Sequence, residues 1–209
     1  MKIYPSIASA DPLRIAEELD KIRGHPRVHV DIEDGNFLPN ITFGQKTVRK
    51  LMQDPDFVYD LHLLTTRPYE FLQQISDCHF SHICFHFEAS AYPLREINLI
   101  RKMGAKPGIA LNFKTGIREL TPFLSQIEYL LIMTAEPDGE EEKFQSNMLE
   151  KVKEAREYLP PNVEIWADGG INEGNIYQLN EAGVDAMIMG RAVWNCDNPL
   201  ESIRRFEKI

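Results

Sequence analysis

Short apolar runs alternate with longer amphipathic stretches from one end of the chain to the other. The runs at 2–7, 27–32, 57–64, 82–86, 107–112, 128–133, 163–168 and 186–190 are rich in Val, Ile, Leu and aromatic residues and too short for helices, so they predict strands. Between them, segments 12–23, 68–75, 94–103, 117–124, 147–158, 173–182 and 199–206 repeat apolar residues at helical spacing. Ala10-Asp11-Pro12 and Asp197-Asn198-Pro199 read as N-caps followed by proline in the first turn, and Gly24, Gly104 and Gly183 fall where helix C-termini belong. Strand followed by helix, repeated, requires crossover connections and hence a parallel sheet. Eight strands in 209 residues fit an α/β fold of the compact (β/α)8 TIM barrel type, a single domain over 1–209, better than a doubly wound open sheet, which uses fewer strands.

In such a barrel chemistry gathers at the C-terminal strand ends. Those ends carry Ser6, His29, Asp31, His62, His86, Asn112, Met133, Asp168 and Gly190. His29 and Asp31 lie two apart on one strand and therefore share a face. Asp60-Leu-His62 and Trp166-Ala-Asp168-Gly169-Gly170 echo that pair on two other strands. Two imidazoles and two carboxylates make a first shell for a borderline divalent ion such as Zn²⁺, Fe²⁺ or Mn²⁺.

The net charge of -9 argues against a nucleic-acid surface, which is held through clustered Lys and Arg. It leaves a small anionic ligand open, since that needs only a few local donors. The start Met1-Lys-Ile-Tyr-Pro-Ser6 has no apolar run of signal-peptide length, and nowhere does an apolar stretch approach the ~20 residues that span a bilayer. A cytoplasmic protein without membrane contact is expected. Cys78, Cys84 and Cys196 have neither paired spacing nor an even count, so they are expected as buried, small apolar residues. His25, His79 and His82 carry no motif and are expected at the surface or an interface; the stretch 136–143 reads as a surface loop.

The motifs, in order, resemble the ribulose-phosphate 3-epimerase family. They are Pro5-Ser6-Ile7, His29-Val-Asp31-Ile-Glu33-Asp34-Gly35, Phe37-Leu-Pro-Asn40-Ile-Thr-Phe-Gly44, Asp60-Leu-His62-Leu63, Phe85-His86-Phe-Glu88-Ala89, Leu111-Asn112, Met133-Thr134, Asp168-Gly169-Gly170 and Met189-Gly190. The resemblance implies a (β/α)8 barrel with one divalent metal (Zn, Fe or Mn) held by His29, Asp31, His62 and Asp168. It implies Asp31 and Asp168 as the acid/base pair, Ser6 and His62 as substrate contacts, and a phosphate near Gly169, Gly170 and Gly190. The implied ligand is a small phosphorylated sugar and the implied assembly a homo-oligomer. His86 is expected as structural support, and Asp34 as a turn residue or a partner for a histidine.

Four departures from the family pattern bear on the substrate. The family's usual Asp-Val-Met-Asp-Gly reads Asp31-Ile-Glu33-Asp34-Gly35 here, so a carboxylate replaces a soft apolar wall. Glu33 can join a metal shell, bind a substrate hydroxyl or bend out to solvent. Leu64 replaces a second methionine. The usual Pro-Gly-Phe-Gly-Gly-Gln reads Pro137-Asp-Gly139-Glu140-Glu141-Glu142, whose carboxylates oppose a phosphate. Against that, Arg191 follows Gly190 where the family has serine, and a guanidinium makes bidentate bonds to phosphate. The expected activity is 3-epimerisation of ribulose 5-phosphate and xylulose 5-phosphate, with a hexulose phosphate such as allulose 6-phosphate, or binding without turnover, as alternatives. A decarboxylase or aldolase built on an Asp-x-Lys-x-x-Asp strand is disfavoured, because Glu33 stands where that lysine would fall.

Overall fold

The computed structural model describes residues 1–136 and 143–209. Eight parallel strands form one sheet: β1 (Lys2–Pro5), β2 (Arg27–Glu33), β3 (Val58–Leu64), β4 (His82–His86), β5 (Lys106–Leu111), β6 (Tyr129–Met133), β7 (Glu164–Asp168) and β8 (Ala186–Met189). Neighbours run β1-β8-β7-β6-β5-β4-β3-β2, and a lone parallel bridge from Ser6 to His29 links β1 to β2 across the remaining gap. The sheet is a nearly closed barrel. Helices α1 (Ile15–Lys21), α2 (Gln45–Leu51), α3 (Pro68–Gln74), α4 (Pro93–Lys102), α5 (Met148–Tyr158), α6 (Ile176–Ala182), α7 (Arg191–Trp194) and α8 (Pro199–Phe206) cover its outside. Among the described residues no helix is long and apolar enough to cross a membrane.

The strands read as nearly unbroken apolar runs because both of their faces are buried. Outward-facing residues such as Ile3, Val30, Leu61, Ile83 and Ile109 join Leu19, Val48, Leu72, Ile97 and Ile203 of the helices in one large apolar layer. A second, smaller cluster fills the barrel itself: Tyr4, Cys84, Ala110, Tyr129, Leu131, Met133, Trp166, Ala186 and Ile188. Cys78 and Cys84 are buried as expected, and Cys196 is half-buried.

Element boundaries depart from the pattern in three instructive places. First, α2 was not foreseen. Its signal, Val48 and Leu51 buried three apart behind Gly44, spans too few turns to stand out. Second, the segment after β5 is a 3-10 helix, Ile117–Gln126, with Pro122 inside it; proline removes a backbone donor that an α-helix needs there. Third, α1 begins at Ile15, and Asp11 closes a turn by accepting from the Leu13 amide (3.0 Å) instead of capping a helix. The Asn198 cap holds: its side chain accepts from the Glu201 amide, with Pro199 first in α8. Gly24, Gly104 and Gly183 all take the left-handed conformation that ends a helix.

His82 and His25, expected at the surface or an interface, are both buried within the chain, whereas His79 is exposed. His82 sits two residues before Cys84 and four before His86, so strand alternation turns all three into the barrel. There it joins a polar plug at the N-terminal end. Asp60, 0% exposed, accepts two bonds from the Arg27 guanidinium and lies 3.2 Å from His82 Nδ1. The guanidinium lies 4.5 Å from the centroid of the Tyr4 ring and covers the apolar cluster. Removing one partner of such a pair strands a buried charge, whereas replacing both is far milder. Arg27→Leu is therefore expected to cost about 3–5 kcal/mol in urea unfolding, and Arg27→Leu with Asp60→Leu to recover most of it.

Candidate active site

Strand alternation that buries Val28, Val30 and Ile32 against the helices turns His29 and Asp31 into the barrel. The register sets Asp31 beside His62 on β3, and Asp168 is the last residue of β7. One ligand atom from each of His29, Asp31, His62 and Asp168 lies within 4.8 Å of the others. His62 Nδ1 is 3.0 Å from Asp31 Oδ1 and 3.5 Å from Asp168 Oδ2; His29 Nε2 is 3.3 Å from Asp31 Oδ1. The Ser6 hydroxyl donates to Asp31 Oδ2 at 2.5 Å.

Both histidine rings are 0% exposed. Neither ring nitrogen of His29 makes a hydrogen bond among the described residues, although buried polar atoms nearly always have partners. Orphaned nitrogen beside two carboxylates is what a cation would satisfy, and this donor set suits Zn²⁺, Fe²⁺ or Mn²⁺. The chain thus carries a cluster able to hold a metal ion.

The two carboxylates are driven apart in proton affinity. Burial works to raise Asp31, but the His29 ring 3.3 Å away, acting through its charge, and the hydrogen bond and charge of His62 outweigh it and hold the carboxyl below its ordinary range. Burial, helped by the Asp31 charge, raises Asp168 despite its bond to His62. For His62, burial is overcome by hydrogen bonds to Asp168 and Asp31, which lift it to about 9. One carboxyl is disposed to be ionised and the other to carry a proton.

Above the cluster opens a cavity of about 730 Å³, within the usual span for a small-molecule site. Ser6, Asp31 and Asp168 line its floor, and Gly169, Gly170, Gly190 and Arg191 line one side. His62 is not among the residues that line it; its Nε2 lies 3.0 Å from His86 Nε2. Gly169 and Gly170 have φ of +114° and +66°, and a Cβ would stand 2.5 Å from the Ala135 amide nitrogen at the first and 2.4 Å from that of Phe144 at the second. Only glycine lets β7 turn this tightly under the segment that follows β6. Thr134 ties the two together by donating to the carbonyls of Asp168 and Gly169.

Glu33 faces the cavity, half-buried, and lies outside the four-residue cluster. Its Oε2 accepts from the Asn40 amide at 2.6 Å. Burial and the charges of Asp31 and Asp168 raise it to about 7. The side chain thus sits on the cavity wall, where it keeps contact with solvent. Asp34 is a turn residue: it accepts from the backbone amides of Asn36, Phe37 and Thr66 and from the Thr66 hydroxyl, and among the described residues it has no hydrogen bond to a histidine. Asn40, which belongs to the motif from Phe37 to Gly44, also lines the cavity, as do Lys143 and Asn172, which come from loops with no periodicity and gave no signal in the sequence. The acidic run Glu140 to Glu142 lies outside the described residues.

A model described as the ribulose-phosphate 3-epimerase family matches residues 2–194, nearly the whole barrel. The chain belongs to the ribulose-phosphate 3-epimerase family. A ribulose-phosphate 3-epimerase of Mycobacterium tuberculosis is 33% identical over 204 residues, covering 96% of this chain and 89% of the relative. That of Helicobacter pylori is 32% identical, covering 100% and 98%, and the cytoplasmic isoform of Oryza sativa 32%, covering 99% and 93%. Membership in the ribulose-phosphate 3-epimerase family makes the chain an isomerase of the epimerase type. Among solved structures, an orotidine 5'-phosphate decarboxylase of Pyrococcus horikoshii aligns with a TM-score of 0.68 at 15% identity, covering 98% of this chain and 96% of its own. A thiamine phosphate pyrophosphorylase of Pyrococcus furiosus aligns at 0.64 and 14%, covering 99% and 94%. At such identities the likeness shows the shared barrel alone.

Proposed function

We propose that the protein is a metal-dependent 3-epimerase of a ketose phosphate, interconverting ribulose 5-phosphate and xylulose 5-phosphate in the cytoplasm. The observation that carries this reading is the convergence of Asp31 and Asp168 with His29 and His62 on one point beneath a cavity. Family membership supports it.

Inverting the carbon beside a ketone takes its proton from one face and returns one to the other, through an enediolate. Asp31 and Asp168 come from strands separated by β8 and β1, so they approach a common centre from different directions. Their opposed proton affinities assign one as base and the other as acid in a given direction, the roles exchanging in reverse. Ser6 orients Asp31 through its hydroxyl. His29, Asp31, His62 and Asp168 would hold the ion, which when bound supplies positive charge to the developing oxyanions. The backbone at Gly169, Gly170 and Gly190, with the Arg191 guanidinium, forms the phosphate side.

Glu33 favours a second reading of the substrate. A carboxylate on the cavity wall, steadied by Asn40, suits a sugar hydroxyl, and a longer ketose phosphate presents one more.

With added metal in deuterium oxide, the wild type should place deuterium at the carbon beside the ketone of ribulose 5-phosphate. Asp31→Asn and Asp168→Asn should each slow that exchange by about 10²–10⁴-fold. Tight binding of the ketose phosphate with no exchange would leave a sugar-phosphate sensor instead. Arg191→Ala should raise KM for the phosphorylated ketose and leave the unphosphorylated sugar unaffected; equal effects on both would remove the phosphate assignment. Glu33→Met should shift the ratio of kcat/KM between pentulose and hexulose phosphates, and an unchanged ratio would show that Glu33 reads no hydroxyl.

A further inference from the structure

His62, which does not line the cavity, leads into a chain of hydrogen bonds through His86 and Glu88 that the proposed chemistry does not use. His62 on β3 and His86 at the end of β4 are both 0% exposed, with ring centroids 5.0 Å apart and planes at 29°. Their Nε2 atoms are 3.0 Å apart. His86 Nδ1 lies 3.3 Å from Glu88 Oε2. The other Glu88 oxygen accepts from the Asn112 amide at 2.8 Å and from the Thr115 hydroxyl. The Phe37 ring packs 4.6 Å from the His86 ring.

We infer that His86 and Glu88 are positioning residues that fix the ring proton of His62 on Nε2, leaving its Nδ1 lone pair aimed at the metal position. The inference rests on the metal-dependent reading above and concerns only what the chain's own side chains do toward that ion.

Two imidazole nitrogens 3.0 Å apart share one proton: two N–H groups would collide, and two bare nitrogens would face each other unsatisfied. Glu88 decides which ring supplies it. Its carboxylate, an acceptor, already takes two donors on one oxygen, so His86 must present N–H to the other. A neutral His86 then has a bare Nε2, and His62 must donate its own Nε2–H to it. The remaining nitrogen of His62, Nδ1, is the one 3.0 Å from Asp31 Oδ1 and 3.5 Å from Asp168 Oδ2; without an ion it holds a proton toward these carboxylates, and it is the atom left for an ion that would take that proton's place. The opposite tautomer of His86 would set a bare nitrogen against a carboxylate and is repelled. A ligating histidine whose other nitrogen is tied in this way keeps its ring orientation, and loss of such a tie typically weakens metal binding 10–100-fold.

The test uses the full chain, stripped of metal and titrated with Zn²⁺ against a chromophoric chelator, with folding of each variant checked by circular dichroism. His86→Leu and Glu88→Ala should weaken Zn²⁺ binding about 10–100-fold. His86→Gln, whose amide oxygen can take the acceptor position of Nε2, should recover most of it. With nitrogen-15 histidine, the zinc-loaded wild type should show scalar coupling between the Nε2 atoms of His62 and His86, the proton residing on His62. A role limited to packing would leave no such coupling and would not distinguish Gln from Leu. Wild-type affinity in folded His86→Leu and Glu88→Ala, or a zinc-loaded His62 bare at Nε2, would overturn the inference. A wild type that takes up no Zn²⁺, Fe²⁺ or Mn²⁺ would overturn the metal reading itself, which is a separate failure read before any variant is made.

Discussion

Bringing the carboxyls of Asp31 and Asp168 together with little exposure is unfavourable unless positive charge or shared protons compensate them. The fold answers with two buried imidazoles, one of which, His29, has no other hydrogen-bond partner among the described residues. That crowding explains the opposite displacements of the two carboxyls, the engagement of Ser6 with Asp31 and the turning of His62 between carboxylates on one side and His86 on the other. Each group must be held where an uncompensated charge would otherwise push it out.

The two ends of the barrel solve the problem of buried charge in different ways. At the N-terminal end Asp60 is matched one-to-one by Arg27, with His82 alongside and Tyr4 beneath the guanidinium, so the end is closed and internally neutralised. At the C-terminal end carboxylates outnumber fixed cations and a cavity stands open above them. Between the ends Leu131, Cys84, Ala110 and Trp166 keep the interior apolar. The same inward-pointing strand positions thus build structure at one end and reactivity at the other, in keeping with the division of labour in such barrels.

The cavity wall is where this chain departs from its family's usual pattern. Glu33 brings a carboxylate to a wall that is otherwise Leu64, Met133 and Ile188 on its apolar side, and Asn40 fixes its orientation. Arg191 opens the short helix α7 on the opposite, glycine-lined side. A carboxyl beside Asp31 and a guanidinium near the glycines give the cavity different polar groups at its two sides. A ligand anionic at one end and hydroxylated at the other matches that polarity.

The sequence by itself determined the βα repeat, the parallel sheet and the face on which His29, Asp31, His62 and Asp168 lie, because strand alternation and helical spacing are local rules. It also determined the Asn198 cap and the glycine helix ends, whose backbone requirements are equally local. Only the tertiary structure decided what each of those side chains meets. His82 carried no motif and proved to be buried beside Asp60, a partner 22 residues away. Glu33 had three readings until the loop bearing Asn40 folded back over it, and His86 acquired its place between His62 and Glu88 only when β3 and β4 paired. Partnership across strands depends on register and on burial, which residues near in sequence do not encode. The direction of a side chain was therefore legible, while the charge or hydrogen bond at its tip was not.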